Sequence, residues 1–293
     1  MLRLQGSIVA LVTPFNQDGS VNFSQLGELV DWHIANKTDG IVVLGTTGES
    51  STMTHEEDTQ VCTFVVKRVA GRIPVIAGSG SNCTATMLEK SLRYQALGAD
   101  GLLVISPYYN KANEEGMYRH FATVADAVNI PCILYNVPGR TGCSISEAVI
   151  RRLYKHENIA AIKEASGNIS YASQIARYLS DDFRMFSGND DIIVPIMALG
   201  GSGVISVFAN IFPAVAHDIV ADFLAGDIAK SRAAQLKYLE VINDLFIEVN
   251  PIPVKAAMNM LGLHAGSLRL PLYEMSDAAK AKLQAALSEV GAL

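Results

Sequence analysis

Eight short apolar runs recur along the first 225 or so residues, and each is followed by a segment with helical periodicity. Strands covered by helices on both faces read as unbroken apolar runs, so these runs favour parallel strands joined by helices. Eight such units predict an α/β fold, a (β/α)8 TIM barrel, because a doubly wound sheet usually has roughly five to seven strands and a glycine-rich nucleotide loop. The predicted strands cover residues 7–13, 40–44, 74–77, 101–105, 131–135, 159–163, 184–187 and 203–207.

The chain continues beyond the eighth unit with further helical patterns, interrupted where Pro251, Pro253 and Pro271 predict turns. We therefore expect two domains without a flexible linker: a catalytic barrel at residues 1–225 and a C-terminal helical domain at residues 226–293. The helical patterns of this second domain cover residues 229–248, 253–260 and 276–290.

Composition indicates an ordinary globular protein. The chain has 293 residues, 49% of them hydrophobic, and its net charge of -6 includes no long basic or acidic block, so neither nucleic acid nor a membrane surface is implied as a partner. The N-terminal residues lack the order of a signal peptide, and no charge-free apolar stretch has the length of a membrane helix, so we expect a cytoplasmic protein. The cysteines lack CxxC spacing and are expected to be reduced thiols: Cys62, Cys83, Cys132 and Cys143.

Lys163 is the most informative single residue, since it lies inside the apolar run of the sixth predicted strand. Desolvation disfavours an unpaired ammonium in an apolar site, which makes the neutral, nucleophilic amine more populated. Amines of this kind form Schiff bases with carbonyl substrates. Two structural alternatives remain open from this segment alone: a lysine that extends to solvent at the strand end, or an ion pair with Glu164.

Other reactive side chains follow the predicted strands, where the active sites of such barrels are built. They supply hydroxyls, phenols and a guanidinium, which suit the binding of a small oxo acid and proton transfer. The residues at these positions, with Lys163, are Thr46, Thr47, Tyr108, Tyr109, Tyr135, Arg140, Ser187, Gly188, Asn189, Ile205 and Ser206.

Structural roles are possible for several of these residues. Tyr108 and Tyr109 could pack at the rim, and Arg140 could form a surface ion pair. Asp190 and Asp191 resemble a metal-binding pair, but beside Ser187-Gly-Asn we expect them to cap the seventh helix.

Neither a metal nor a nucleotide cofactor is indicated. The six histidines show no ligand spacing, and His55-Glu56 lacks the second histidine of a zinc-protease helix. The stretch from Gly78 to Cys83 has cysteine at the third glycine position of a dinucleotide loop, and no phosphate-binding Gly-Lys-Ser/Thr loop occurs.

Three motifs on three predicted strands together resemble the dihydrodipicolinate synthases, pyruvate-dependent class I aldolases whose superfamily includes N-acetylneuraminate lyase. The resemblance extends from about Gly6 through Pro271 and implies the same barrel with a C-terminal helical domain. It also implies a lyase that condenses pyruvate with L-aspartate 4-semialdehyde to give 4-hydroxy-tetrahydrodipicolinate, on the route to diaminopimelate and lysine, without a cofactor. The motifs are Gly45-Thr-Thr-Gly-Glu49, Tyr135-Asn-Val-Pro-Gly-Arg-Thr-Gly142 and Ile162-Lys-Glu-Ala-Ser-Gly-Asn168.

The resemblance also implies catalytic roles. Lys163 would form the Schiff base, and Tyr135 would be the general acid/base. Thr47 and Tyr109 would complete a proton relay with Tyr135. Tyr109 would reach in from a neighbouring subunit of a homotetramer, a dimer of dimers.

Substrate-binding roles follow from the same resemblance. Thr46 and Thr47 would hold the pyruvate carboxylate, and Arg140 would bind the carboxylate of the semialdehyde. Gly188 and Ile205 would line the pyruvate pocket. Two alternatives remain: a related aldolase for a sugar acid, such as N-acetylneuraminate or a 2-keto-3-deoxy acid, and a non-catalytic protein that binds oxo acids.

A possible effector site completes the expectations from the resemblance, because many dihydrodipicolinate synthases are inhibited by lysine between subunits. Sensitive bacterial members carry a histidine where this chain has Asp58 and a glutamate where it has Thr86, so we expect weak or no inhibition. The positions that match the family's lysine-binding residues are Ser50, His55, Asn82 and Tyr108.

Overall fold

The computed structural model describes residues 4–293, and within them eight parallel strands form one closed barrel. Each strand pairs with the next along the chain, and β8 returns to β1 with Gly203 opposite Gly6 and Ile205 opposite Ile8. The predicted (β/α)8 barrel is therefore confirmed. The strands are β1 (Gly6–Ala10), β2 (Gly40–Val43), β3 (Val75–Gly78), β4 (Gly101–Ile105), β5 (Cys132–Asn136), β6 (Ile159–Glu164), β7 (Arg184–Ser187) and β8 (Gly203–Ser206).

Helices cover the outside of the barrel, and further helices form the C-terminal segment, residues 226–293. The second helix along the chain begins with a capping box, in which Thr54 and Glu57 each accept a hydrogen bond from the other's backbone N–H. The α-helices are α1 (Phe23–Ala35), α2 (His55–Val69), α3 (Thr84–Ala96), α4 (Glu114–Ala127), α5 (Pro138–Thr141), α6 (Glu147–Leu153), α7 (Ile169–Ala176), α8 (Ile193–Ala198), α9 (Pro213–Leu224), α10 (Ile228–Lys237), α11 (Leu239–Asp244), α12 (Ile252–Met260) and α13 (Asp277–Glu289).

Side chains alternate between two apolar layers along each strand, which explains the unbroken apolar runs of the sequence. Ile8 and Val42 pack inside the barrel, whereas their neighbours Val9 and Ile41 pack between the strands and the surrounding helices. Since both faces of every strand are covered, polar residues inside these runs occur where the barrel opens.

Two sequence expectations were wrong in detail. The predicted helix at 229–248 is two helices, α10 and α11, which meet at Tyr238, whose ring packs against Phe212 with centroids 5.1 Å apart. Asp190 and Asp191 do not cap the helix that follows β7, because α8 begins without a side-chain cap. Asp190 Oδ2 instead accepts hydrogen bonds from the N–H groups of Val207 and Phe208, both at 3.0 Å. Asp190 therefore stabilises the backbone that follows β8, at Val207 and Phe208.

The C-terminal segment packs directly on the barrel. Val254 and Leu283 belong to the same buried apolar cluster as Val9 of β1, and Phe15 forms a bridge with Gly266. The predicted boundary between two domains at residues 225 and 226 remains a prediction. None of the helices in residues 4–293 is long and apolar enough to span a membrane.

Candidate active site

Lys163 and Tyr135 lie side by side at the carboxyl ends of neighbouring strands. They are register partners in β6 and β5, so their side chains leave the sheet on the same face. The Lys163 Nζ atom lies 4.5 Å from the centroid of the Tyr135 ring, and the two residues are only 5% and 7% exposed. The barrel thus places an amine next to a phenol, which are a nucleophile and a candidate proton donor and acceptor.

Glu164 forms hydrogen bonds with residues other than Lys163, which removes the alternative of an ion pair between the two. Its carboxylate accepts hydrogen bonds from Asn136 Nδ2 at 2.7 Å and from the N–H of Ser166 at 2.7 Å. Burial raises the pKa of the Glu164 carboxyl, although these hydrogen bonds act in the opposite direction. Among residues 4–293, no carboxylate forms an ion pair with Lys163.

Asp190 is a buried carboxylate next to the segment that follows β8, and it interacts electrostatically with Lys163. Burial raises the pKa of its carboxyl, while the hydrogen bonds from the N–H groups of Phe208 and Val207 and the positive charge of Lys163 act to lower it. The Asp190 carboxylate therefore holds the backbone after β8 in place and also interacts electrostatically with Lys163.

Asn250, from the C-terminal segment, connects two residues on different strand ends. Its Nδ2 donates to Thr47 Oγ1 at 3.0 Å, and its backbone oxygen accepts from Arg140 Nη2 at 2.9 Å. Sequence reasoning did not identify Asn250, because only the turn Asn250-Pro-Ile-Pro253 marked this stretch. The hydroxyl and the guanidinium are thus fixed by one residue.

A cavity of about 560 Å³ opens above Lys163 and Tyr135. Its apolar floor belongs to the barrel, and the stretch from Phe246 to Asn250 forms one wall. The structure brings several predicted residues together here, and Asn189 and Asn250 add amide groups. The predicted residues that line the cavity are Thr46, Thr47, Tyr135, Arg140, Lys163 and Gly188.

Gly188 directly follows β7 and leaves no space for a side chain beside Lys163. A Cβ atom built on it would lie 2.5 Å from Ala165 Cβ and 3.0 Å from Lys163 Cε. Such distances are shorter than van der Waals contact, so a side chain here would displace the lysine or the backbone that supports it. Glycine at this position leaves room for the lysine beside the cavity.

The chain is similar to known sequences over almost its whole length. The profile of the dihydrodipicolinate synthetase family matches residues 3–290. The chain belongs to this family. A 4-hydroxy-tetrahydrodipicolinate synthase from a Thermoanaerobacter species is 53% identical over 290 residues, which cover 99% of this chain and 97% of that protein.

Solved structures agree with the family assignment. The dihydrodipicolinate synthase of Acinetobacter baumannii, solved as a complex with pyruvate, is 42% identical, covers 99% of both chains and has a TM-score of 0.96. The enzyme of Cyanidioschyzon merolae, solved with lysine bound, is 37% identical, covers all of both chains and also has a TM-score of 0.96. The resemblance inferred from the three motifs is confirmed at the level of the family.

Two of the residues assigned from the family pattern lie away from the cavity. Tyr109 is 91% exposed, has a positive φ of 68° and does not line the cavity. Ile205 is fully buried in the apolar interior of the barrel, and the neighbouring Val207 reaches the cavity instead. Their assigned roles remain predictions.

The residues matched to the family's lysine-binding site lie outside the cavity. Asn82 Nδ2 donates to the backbone oxygen of Tyr108 at 3.1 Å, while Ser50 begins a short 3-10 helix and His55 begins α2. Asp58 is buried and forms an ion pair with Lys90, its Oδ2 lying 2.7 Å from Nζ.

Proposed function

We propose that the protein is a lyase that condenses pyruvate with L-aspartate 4-semialdehyde to give 4-hydroxy-tetrahydrodipicolinate, a step in diaminopimelate and lysine biosynthesis. The observation that carries the proposal is the buried amine of Lys163, which has no carboxylate partner in residues 4–293 and adjoins the Tyr135 ring beneath an open cavity. Family membership supports the choice of substrates.

The proposed reaction begins with attack of the neutral Lys163 amine on the keto carbon of pyruvate. Loss of water gives an iminium, which acidifies the adjacent methyl group, and removal of one methyl proton gives an enamine. Thr46 and Thr47 hold the carboxylate through the backbone N–H groups and hydroxyls of their turn. Tyr135 carries protons to and from the adduct, since its phenol lies beside the amine.

The enamine carbon then bonds to the aldehyde carbon of the second substrate, whose oxygen takes up a proton. Arg140 orients this substrate by pairing with its carboxylate, for which the guanidinium offers a planar fork. The substrate's own amino group next attacks the iminium carbon and releases Lys163, which closes the ring. No cofactor enters any of these steps.

Borohydride trapping tests the proposal directly. Incubation with pyruvate and borohydride should reduce the iminium and add the mass of the reduced pyruvyl group to Lys163, as read by peptide mass spectrometry. Absence of this adduct would contradict the mechanism. Turnover with the semialdehyde, compared with turnover of sugar acids, distinguishes this lyase from a sugar-acid aldolase, and trapping with turnover excludes a simple binding protein.

We further propose a cytoplasmic homotetramer in which Tyr109 contacts a neighbouring subunit's active site and completes the relay with Thr47 and Tyr135. The near-complete exposure of this phenol in one protomer, with Tyr108 also 39% exposed, supports a contact with a second copy. Sedimentation equilibrium combined with activity assays tests the assembly. A fully active monomer would refute this role for Tyr109.

A further inference from the structure

A buried ion pair joins the turn that carries Thr46 and Thr47 to the C-terminal segment. Glu49 ends this turn, and its Oε1 lies 2.5 Å from Nζ of Lys255 on α12. The two side chains are 0% and 2% exposed. Lys255 also donates to the backbone oxygen of Ser267 at 2.8 Å, and Glu49 Oε2 accepts from the N–H of Arg269 at 3.1 Å. The contact is therefore fixed on both sides.

The backbone of Glu49 needs such an anchor. Its φ of 56° lies in the left-handed region, which a non-glycine residue adopts uncommonly and at a cost in conformational energy. Its N–H donates to the backbone oxygen of Thr46 at 3.1 Å, and the oxygen of Gly48 accepts from Thr13 Oγ1 at 2.7 Å. A shift of Glu49 would therefore move the turn that holds the pyruvate carboxylate.

The surroundings of Lys255 make Glu49 its charge partner. The ammonium lies over the Phe15 ring, 4.4 Å from its centroid, and the nearby Arg269 is paired with Glu57. Burial lowers the pKa of Lys255 to about 8, although the carboxylate of Glu49 acts to raise it. Loss of one member leaves the other charge buried without compensation.

We infer that the Glu49–Lys255 ion pair is a positioning element for the pyruvate site, through which docking of the C-terminal segment sets the geometry of the Thr46–Thr47 turn. Both side chains lie behind the turn and outside the lining of the cavity, so they act through the turn and not on the substrate. The inference rests on the proposed function, since it assumes that this turn binds pyruvate.

The test compares Lys255→Met, which removes the ammonium and retains most of the side-chain length, with Lys90→Met as a matched control. Lys90 also belongs to a buried ion pair, with Asp58, but that pair joins α2 to α3. Active sites are first counted by pyruvate and borohydride trapping, and kcat and both KM values are then measured per trapped site. Thermal unfolding reports the stability of each variant.

We expect Lys255→Met to raise KM for pyruvate by about 10-fold or more, because small displacements of binding groups carry large kinetic penalties. KM for the semialdehyde should stay within about 2-fold of the wild-type value, and Lys255→Arg, which retains the charge, should restore part of the loss. Lys90→Met should lower thermal stability without changing KM for pyruvate.

A purely structural role would give the opposite pattern: Lys255→Met would be less stable, yet its KM for pyruvate per trapped site would equal that of the wild type. That result would overturn the inference. If Lys255→Met does not fold, the double variant Glu49→Gln/Lys255→Met removes both charges and is judged by the same KM criterion. Failure of the wild type to trap pyruvate would instead refute the proposed function, and this inference with it.

Discussion

Replacement of Gly188 by alanine should disable Schiff-base formation through crowding alone. The added Cβ would lie 2.5 Å from Ala165 Cβ, whereas carbon atoms pack at about 3.5 Å or more, so roughly 1 Å of displacement is needed. The two backbones cannot separate freely, because the N–H of Gly188 donates to the oxygen of Glu164 at 2.7 Å and that of Ala165 donates to Asn136 at 2.9 Å. The strain therefore reaches Lys163, whose Cε lies 3.0 Å from the new atom.

Overpacking of this kind costs about 1–3 kcal/mol of stability, and a displacement of about 1 Å at a reacting group lowers rates by roughly 100-fold. We therefore expect Gly188→Ala to remain folded and to trap pyruvate about 100-fold more slowly in a borohydride time course. Gly40→Ala is the matched control at the amino end of β2, where the new Cβ would meet its neighbours at 3.4 to 3.5 Å. Trapping by Gly188→Ala at the wild-type rate would refute the reasoning.

Three further predictions concern the second substrate, the effector and pH. Arg140→Ala should raise KM for the semialdehyde and leave formation of the pyruvate adduct intact. Equal losses in both assays would count against the assignment of Arg140 to the semialdehyde carboxylate and would point instead to its hydrogen bond with Asn250. Lysine should inhibit weakly, because Thr86 stands where sensitive family members carry a glutamate, and Asp58, which could compensate, is already paired with Lys90. The lost hydrogen bond to a charged group costs roughly 1.5 to 3 kcal/mol, about 10- to 150-fold in affinity. Half-inhibition at sub-millimolar lysine and sub-saturating pyruvate would contradict this. Burial lowers the pKa of His33 from 6.5 to about 3, so between these pH values the unfolded chain binds a proton that the folded chain does not. The free energy of unfolding therefore decreases as the pH is lowered below 6.5. Between pH 7 and pH 5 the free energy of unfolding should fall by about 2 kcal/mol more in the wild type than in His33→Gln, as measured by urea denaturation; equal slopes would exclude this effect of His33.

The sequence by itself determined the fold, because the barrel is encoded locally. Every predicted strand overlaps a real one, since burial on both faces of a parallel strand requires the same unbroken apolar run wherever it occurs. It also placed Lys163, Tyr135, Arg140 and Gly188 near one another, because the carboxyl ends of parallel strands meet at one end of a barrel.

The helix boundaries near residue 238 could not be obtained in this way. The periodicity of residues 229–248 fits one helix, yet the ring of Tyr238 packs against Phe208 and Phe212, and the chain turns there. This packing depends on the final position of the segment after β8. A helical pattern reports which residues are buried, but not where the surface that buries them begins and ends.

Only the tertiary structure decided how the C-terminal segment completes the site. Asn250 meets Thr47 across 203 residues of sequence, and Lys255 meets Glu49 across a similar separation. Asp190 likewise bonds to the backbone after β8 instead of to its own helix. Hydrogen bonds and ion pairs between distant segments have no periodicity along the chain, since the closed barrel and the docked helices determine which polar groups meet.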